Sequence, residues 1–120
     1  MNEYCETYIK ISKDALIHNA RFFKKDSQKK LIAVIKSNAY GHGLIEVGKI
    51  LEPVSDLFAV ASLDSAVSLR KVGIKIPILV LNPLASDYAL VALEHDIMIT
   101  VSSLAELKQF TVIIISCNKR

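Results

Sequence analysis

Tryptophan is absent from these 120 residues and cysteine is scarce, with Cys5 and Cys117 near opposite ends of the chain. Two thiols so far apart form no CxxC pair and no Cys/His cluster, which gives no basis for a disulfide framework or a metal site. A reducing cytoplasm is the expected compartment. Long apolar runs are lacking too. No uninterrupted stretch approaches the ~18 residues of a membrane span. The opening MNEYCETYIK has no basic region leading into an apolar one, so neither a targeting segment nor a membrane partner is expected. Charge of one sign is also missing, since 15 basic side chains stand against 12 acidic ones for a net +3. The lysines are scattered and no basic stripe is interleaved with aromatics, so nucleic acid is not an expected partner. Four glycines and three prolines build no low-complexity tract, no linker, no GxGxxG and no GxxxxGK[ST]. Dinucleotide and P-loop sites therefore have no support.

What is present is a core with a regular plan. Hydrophobic residues make up 52% of the chain and charged ones 22%, enough for one packed domain of modest size. ETYIKI reads as a strand, and Ser12 as the cap of a helix that places Leu16, Ala20 and Phe23 on one face. KLIAVIK is a second strand, followed by a glycine loop and a helix with Leu44, Val47 and Leu51 that ends at Pro53. DLFAVAS, a helix closed by Gly73, and KIPILVL continue the alternation, with Asn82 and Pro83 as a turn. A helix capped by Ser86, with Ala85, Ala89, Ala92 and Leu93 on one face, leads to the strand DIMITV. Ser103 and Glu106 then have capping-box spacing ahead of LAELKQF. The count is five strands, with TVIIIS as a candidate sixth.

Strands alternating with helical segments of about ten residues imply right-handed crossovers and a parallel sheet, an α/β fold. The strands are near-continuous aliphatic runs, as when both sheet faces are buried. Periodicity leaves two architectures open, a small doubly wound sheet or part of an eight-stranded barrel.

One residue interrupts the pattern. In AVIKSNAYGHG, Lys36 closes an aliphatic strand, at the end where ligands of both architectures bind. There a lysine either snorkels to solvent or serves as an amine nucleophile for an aldehyde. Gly41 and Gly43 would let the backbone approach a ligand, Tyr40 offers a hydroxyl to a phosphate oxygen, and the helix beginning at Leu44 directs amides at an anion.

The whole string resembles the pyridoxal-phosphate lysine motif of the alanine racemase family, whose loop Asn-Ala-Tyr-Gly-His-Gly is matched from Asn38 to Gly43 without a gap. ISKDALIHNARFF, DLFAVASLDSAVSLRKVGIKIPILVLNP and IMITVSSLAEL extend the likeness from about Tyr8 to about Phe110. The resemblance implies the N-terminal portion of a TIM-type (β/α)8 barrel, with residues 1–110 as part of that domain, 111–120 as an atypical tail and the family's C-terminal β domain absent. It implies pyridoxal 5'-phosphate as cofactor and interconversion of L- and D-alanine for peptidoglycan precursors. Lys36 matches the Schiff-base lysine and catalytic base, Tyr40 the tyrosine on the cofactor phosphate, and Leu81 a leucine lining the cofactor site. His42 matches the loop histidine, with a packing or hydrogen-bonding role. His18, His95, Asp64, Arg70, Glu46 and Glu94 read as structural or solvated.

Racemisation needs a second acid/base on the opposite face of Cα. The family takes it from a tyrosine of the C-terminal domain across a homodimer, and Tyr4, Tyr8 and Tyr88 do not match it. Neither do Arg21, Arg70 or Arg120 match the family's cofactor and substrate arginines. Two further readings stay open: a pyridoxal-phosphate-binding barrel protein without racemase activity, and a non-catalytic fragment. Half a barrel would leave open strand edges and an uncovered inner face, which favours self-association.

Overall fold

The computed structural model describes residues 8–117. Helix α1 (Lys13–Ser27) begins where the Ser12 side chain accepts a hydrogen bond from the Ala15 amide at 3.2 Å. Asp14 in its first turn and Lys24 and Lys25 in its last complement the helix dipole. Ala20 is buried and Leu16 packs against the core, but Phe23 is 60% exposed. Its ring instead meets Phe22 edge-on at 5.7 Å.

Four strands follow among the described residues: β1 (Ile32–Val34), β2 (Leu57–Val60), β3 (Ile78–Pro83) and β4 (Met98–Thr100). Between them lie the single turn α2 (Lys36–Tyr40) and the helices α3 (Leu44–Leu51), α4 (Leu63–Lys71) and α5 (Ala89–Glu94), with α6 (Leu104–Cys117) last. All strand pairs are parallel and their order is β1-β2-β3-β4. Successive right-handed crossovers that always step in one direction put every helix on the same sheet face. A doubly wound sheet reverses direction partway, so the sequential order is that of a barrel wall.

The two faces differ as this topology requires. Ala33, Phe58 and Ile78 lie side by side in the register, and with Val60 and Val80 they form the core under the helices. The alternate residues Ile32, Val34, Leu81 and Met98 make an exposed apolar row on the other face. Such aliphatic strands normally have both faces covered.

Among the described residues the expected first and sixth strands are not formed. Tyr8–Ser12 carries no strand, and the first two residues of ETYIKI lie outside the described residues. TVIIIS is helical. Ser103 Oγ accepts from the Glu106 amide at 3.2 Å and starts α6, and no glycine or proline interrupts the chain before Cys117. Helix propagation therefore outweighs the strand preference of the branched residues. Thr111 and Ser116 turn their hydroxyls back onto the Leu107 and Val112 carbonyls, both at 2.7 Å, while Phe110, Ile113 and Ile114 face the protein. The helix thus passes without a break from residue 110 into residue 111, where the tail was expected to begin.

Two other elements depart from the sequence reading. Ser86 opens a short 3₁₀ helix (Ser86–Tyr88) rather than capping α5, and Ala85 and Leu93 are exposed while Ala89 and Ala92 are buried. Asn82 and Pro83 belong to β3, where Pro83 pairs with Thr100 beyond a register shift. The Thr100 hydroxyl bonds to the Val80 carbonyl at 2.8 Å, filling the disturbed ladder.

Side chains tie the loops at the other rim. Arg70 donates to four carbonyls, those of His95 (3.1 Å), Ile74 (2.8 Å), Ile76 (2.8 Å) and Asp96 (2.9 Å). Asp56 accepts from the Leu31 amide at 2.7 Å and pairs with Lys24 at 2.8 Å. The Lys24 ammonium, then the Leu31 N–H, hold the Asp56 carboxyl below its ordinary value, and the Ser102 N–H and hydroxyl do the same for Glu106. A carboxyl whose folded pKa is depressed stabilises the fold above its unfolded pKa, and that contribution is lost as pH falls through the folded one. The melting temperature is therefore expected to be flat between about pH 7 and pH 5 for these two groups and to fall below about pH 4. Asp56→Asn and Glu106→Gln should each flatten the acid limb in thermal melts. An unchanged acid limb in both variants would refute the assignment.

Candidate functional site

Lys36 stands where β1 stops being a strand. Pairing continues one residue past Val34, with the Ile35 amide donating to Ala59 O at 2.9 Å and the Ile35 side chain buried. Lys36 follows, half-buried, at the C-terminal rim of the sheet. Val34, Ala59 and Leu79 form one row across β1, β2 and β3. Lys36 and Leu81 each lie two residues beyond that row, Lys36 in the turn after β1 and Leu81 on β3, with β2 between the two strands. Leu81 is 37% exposed on the face away from the helices, and Tyr40 is exposed.

The turn after Lys36 has a handedness that the sequence does not announce. Ser37, Asn38, Ala39 and Tyr40 have φ of 53, 56, 52 and 55°, four successive non-glycine residues in the left-handed region. Each costs roughly 1–2 kcal/mol relative to the right-handed form. Such strain persists only where neighbouring interactions over-determine the conformation. Here the Asn38 carbonyl accepts from the Gly41 (3.1 Å) and Gly43 (2.9 Å) amides, and Asn38 Oδ1 accepts from the Leu44 amide at 2.8 Å. His42 Nδ1 lies 3.0 Å from Ala39 O and 3.1 Å from Tyr40 O. Carbonyl oxygens only accept, so Nδ1 carries the proton and donates to both.

These bonds alter the expected role of the glycines. The amides of Gly41, His42, Gly43 and Leu44 are all spent within the loop, which leaves none of them for a ligand. Gly41 and Gly43 are required by their φ of +86 and +95° instead. A Cβ on Gly43 would also stand 2.6 Å from Glu46 Oε2, so a carboxylate already lies against the start of α3. That carboxylate competes with an external anion for the amides at the helix start.

A cavity of about 290 Å³ opens beside the free edge of β1, lined by Val34, Ile35, Tyr40 and His42 among others. Neither Lys36 nor Leu81 contributes to it. A second cavity of about 320 Å³ lies at the ends of β2 and β3, where Ser62, Asp64, Asn82 and Tyr88 bring polar groups to the same rim. The chain thus brings Lys36, Tyr40 and His42 together in one loop and keeps Leu81 apart on β3. No group of three metal-ligating side chains occurs among the described residues, and Cys117 is exposed. Among the described residues no helix is long and apolar enough to cross a membrane. Sequence reasoning missed Asn38 as the residue that closes the loop; an amide three residues ahead of a glycine is its signal.

Comparison with known proteins gives a consistent result. The family described as alanine racemase, N-terminal domain, matches residues 11–115. The alanine racemase of Halalkalibacterium halodurans is 38% identical over 110 residues, which cover 88% of this chain and 28% of the relative. The crystal structure of alanine racemase from Bacillus anthracis with bound L-Ala-P superposes with a TM-score of 0.83 at 38% identity, covering 91% of this chain and 29% of that one. A histidine racemase from Leuconostoc mesenteroides superposes with a TM-score of 0.78 at 34% identity, covering 83% and 27%. The chain spans about 28% of the length of the curated relative.

Proposed function

The chain belongs to the alanine racemase family through that family's N-terminal domain, and from this premise we propose that it contributes the lysine side of a pyridoxal-phosphate racemase site acting on alanine. Lys36 is the residue that holds the cofactor and exchanges the α-proton, Tyr40 contacts the cofactor phosphate, and Leu81 lines the cofactor's apolar side. The observation that carries this reading is the position of Lys36, half-buried at the C-terminal rim and followed by four left-handed residues. Strained conformations of this kind cluster at functional sites.

The donor set suits the group. An amine, a phenolic hydroxyl and an aliphatic side chain stand at one rim, the edge at which β/α barrels bind ligands. When bound, pyridoxal phosphate withdraws electron density from the substrate Cα and so acidifies its proton. The Lys36 amine removes or returns that proton on one face only, which requires a position within hydrogen-bond reach of Cα. A base for the opposite face is not assigned to this chain. We assign it to a partner copy in a homodimer of the complete enzyme, working in the cytoplasm to supply D-alanine for peptidoglycan.

The test is to mix the purified chain with pyridoxal phosphate, reduce with borohydride and map modified peptides by mass spectrometry, with Lys36→Ala as control. Selective modification of Lys36 is expected. Modification spread over surface lysines and unchanged in the control would overturn the reading. Exchange of the α-proton of L-alanine with deuterated solvent, which the one-face base Lys36 catalyses without a second base, separates the lysine side of a racemase from a protein that only binds the cofactor.

A further inference from the structure

The left-handed turn needs a clamp, and one ring supplies much of it. Among the described residues, His42 is the only one whose side chain bonds to the carbonyls inside the turn, sharing its Nδ1–H between Ala39 O at 3.0 Å and Tyr40 O at 3.1 Å. Those carbonyls belong to the last two left-handed residues. Fixing them fixes the peptide planes on both sides of Tyr40, and through the Ala39 amide, which donates to Ile35 O at 3.0 Å, the direction in which the chain leaves Lys36. Asn38 closes the loop from the other side through its bond from the Leu44 amide. The glycines cannot do this, because each only permits an unusual φ and restrains none.

We propose that His42, as a neutral or charged ring with its proton on Nδ1, is the positioning residue that sets Lys36 and Tyr40 for the cofactor. It touches neither cofactor nor substrate and acts through the backbone of the turn. What the turn is positioned for rests on the function proposed above; the clamp itself does not.

Two measurements separate these statements. In the 15N-labelled chain, Nδ1 of His42 should show the shift of a protonated ring nitrogen, and Ser37–Tyr40 should show the strong intraresidue HN–Hα Overhauser effects of positive φ. His42→Asn places an amide nitrogen near the position of Nδ1, so it should retain those effects and the Lys36 modification to within about twofold. His42→Leu fills similar space without a donor. It should lose the positive-φ signature and reduce Lys36 modification on the order of tenfold, the scale on which small misplacements act. Arg70→Lys serves as a control, since it weakens the fold at the opposite rim and should leave Lys36 modification per folded molecule unchanged.

A ring protonated only on Nε2, or a positive-φ signature that survives in His42→Leu, would overturn the clamp. If His42→Leu does not fold, the ring-nitrogen shift in the unaltered chain and the His42→Asn spectra still decide the matter. An intact turn that depends on His42, with no preference for Lys36 in the unaltered chain, would sink the cofactor reading and leave the clamp standing.

Discussion

Arg70→Ala is expected to remove about 3 kcal/mol of folding free energy, a large share of the roughly 5–15 kcal/mol that a domain possesses. The guanidinium joins three segments: its own helix α4, the turn at Ile74 and Ile76, and the end of α5 at His95 and Asp96. A hydrogen bond from a charged donor contributes about 1.5–3 kcal/mol, but four bonds from one group are not additive. Water reaches part of the site and offsets some of the loss. Arg70→Lys should recover less than half, because an ammonium has no planar fork with which to serve carbonyls on several sides at once. Urea unfolding followed by circular dichroism measures this as a lower midpoint at constant slope. A midpoint unchanged in Arg70→Ala would mean that the four contacts together add nothing to stability.

The second large effect is expected at Phe58. Its side chain is fully buried at the centre of the helix-covered face, between Ala33 on β1 and Ile78 on β3. Phe58→Ala should cost about 3–5 kcal/mol, part lost transfer energy and part the cavity left behind. Ala33 is too small to fill the space, so relaxation must come from helix movement. Thermal melting should fall by more than 10 °C, by order of magnitude. A loss of under about 1 kcal/mol would show that the helix layer collapses onto the sheet without difficulty.

The parallel strands, most helices and the position of Lys36 were legible in the sequence because each rests on a local signal. Ser12 caps α1 as its spacing predicts, and Leu44, Val47 and Leu51 do lie on one helix. Ser103 and Glu106 form the expected cap with one displacement: the carboxylate reaches back to the amide and hydroxyl of Ser102, at 2.8 and 2.9 Å, rather than to the cap residue. Where local signals conflicted, the reading failed. TVIIIS has the composition of a strand, but a capped helix runs into it with no breaking residue, and cooperativity carries the helix through. The choice between an open sheet and a barrel wall depends on strand order, which periodicity does not encode. At the candidate site, Lys36 and Tyr40 were legible as residue types. The left-handed turn was not, since nothing in Ser-Asn-Ala-Tyr favours positive φ beyond asparagine itself.

That turn has a stereochemical consequence. Four successive residues hold a shape that is the mirror image of an ordinary helical turn, the conformation that D-amino acids adopt without penalty. In this chain the backbone beside the lysine is thus itself of the opposite hand to the helices around it. β-Branched side chains at residues 37 to 40 are strongly disfavoured on backbone grounds alone, before any contact with a ligand is considered. The residues that this loop can hold are accordingly limited by chirality as much as by chemistry.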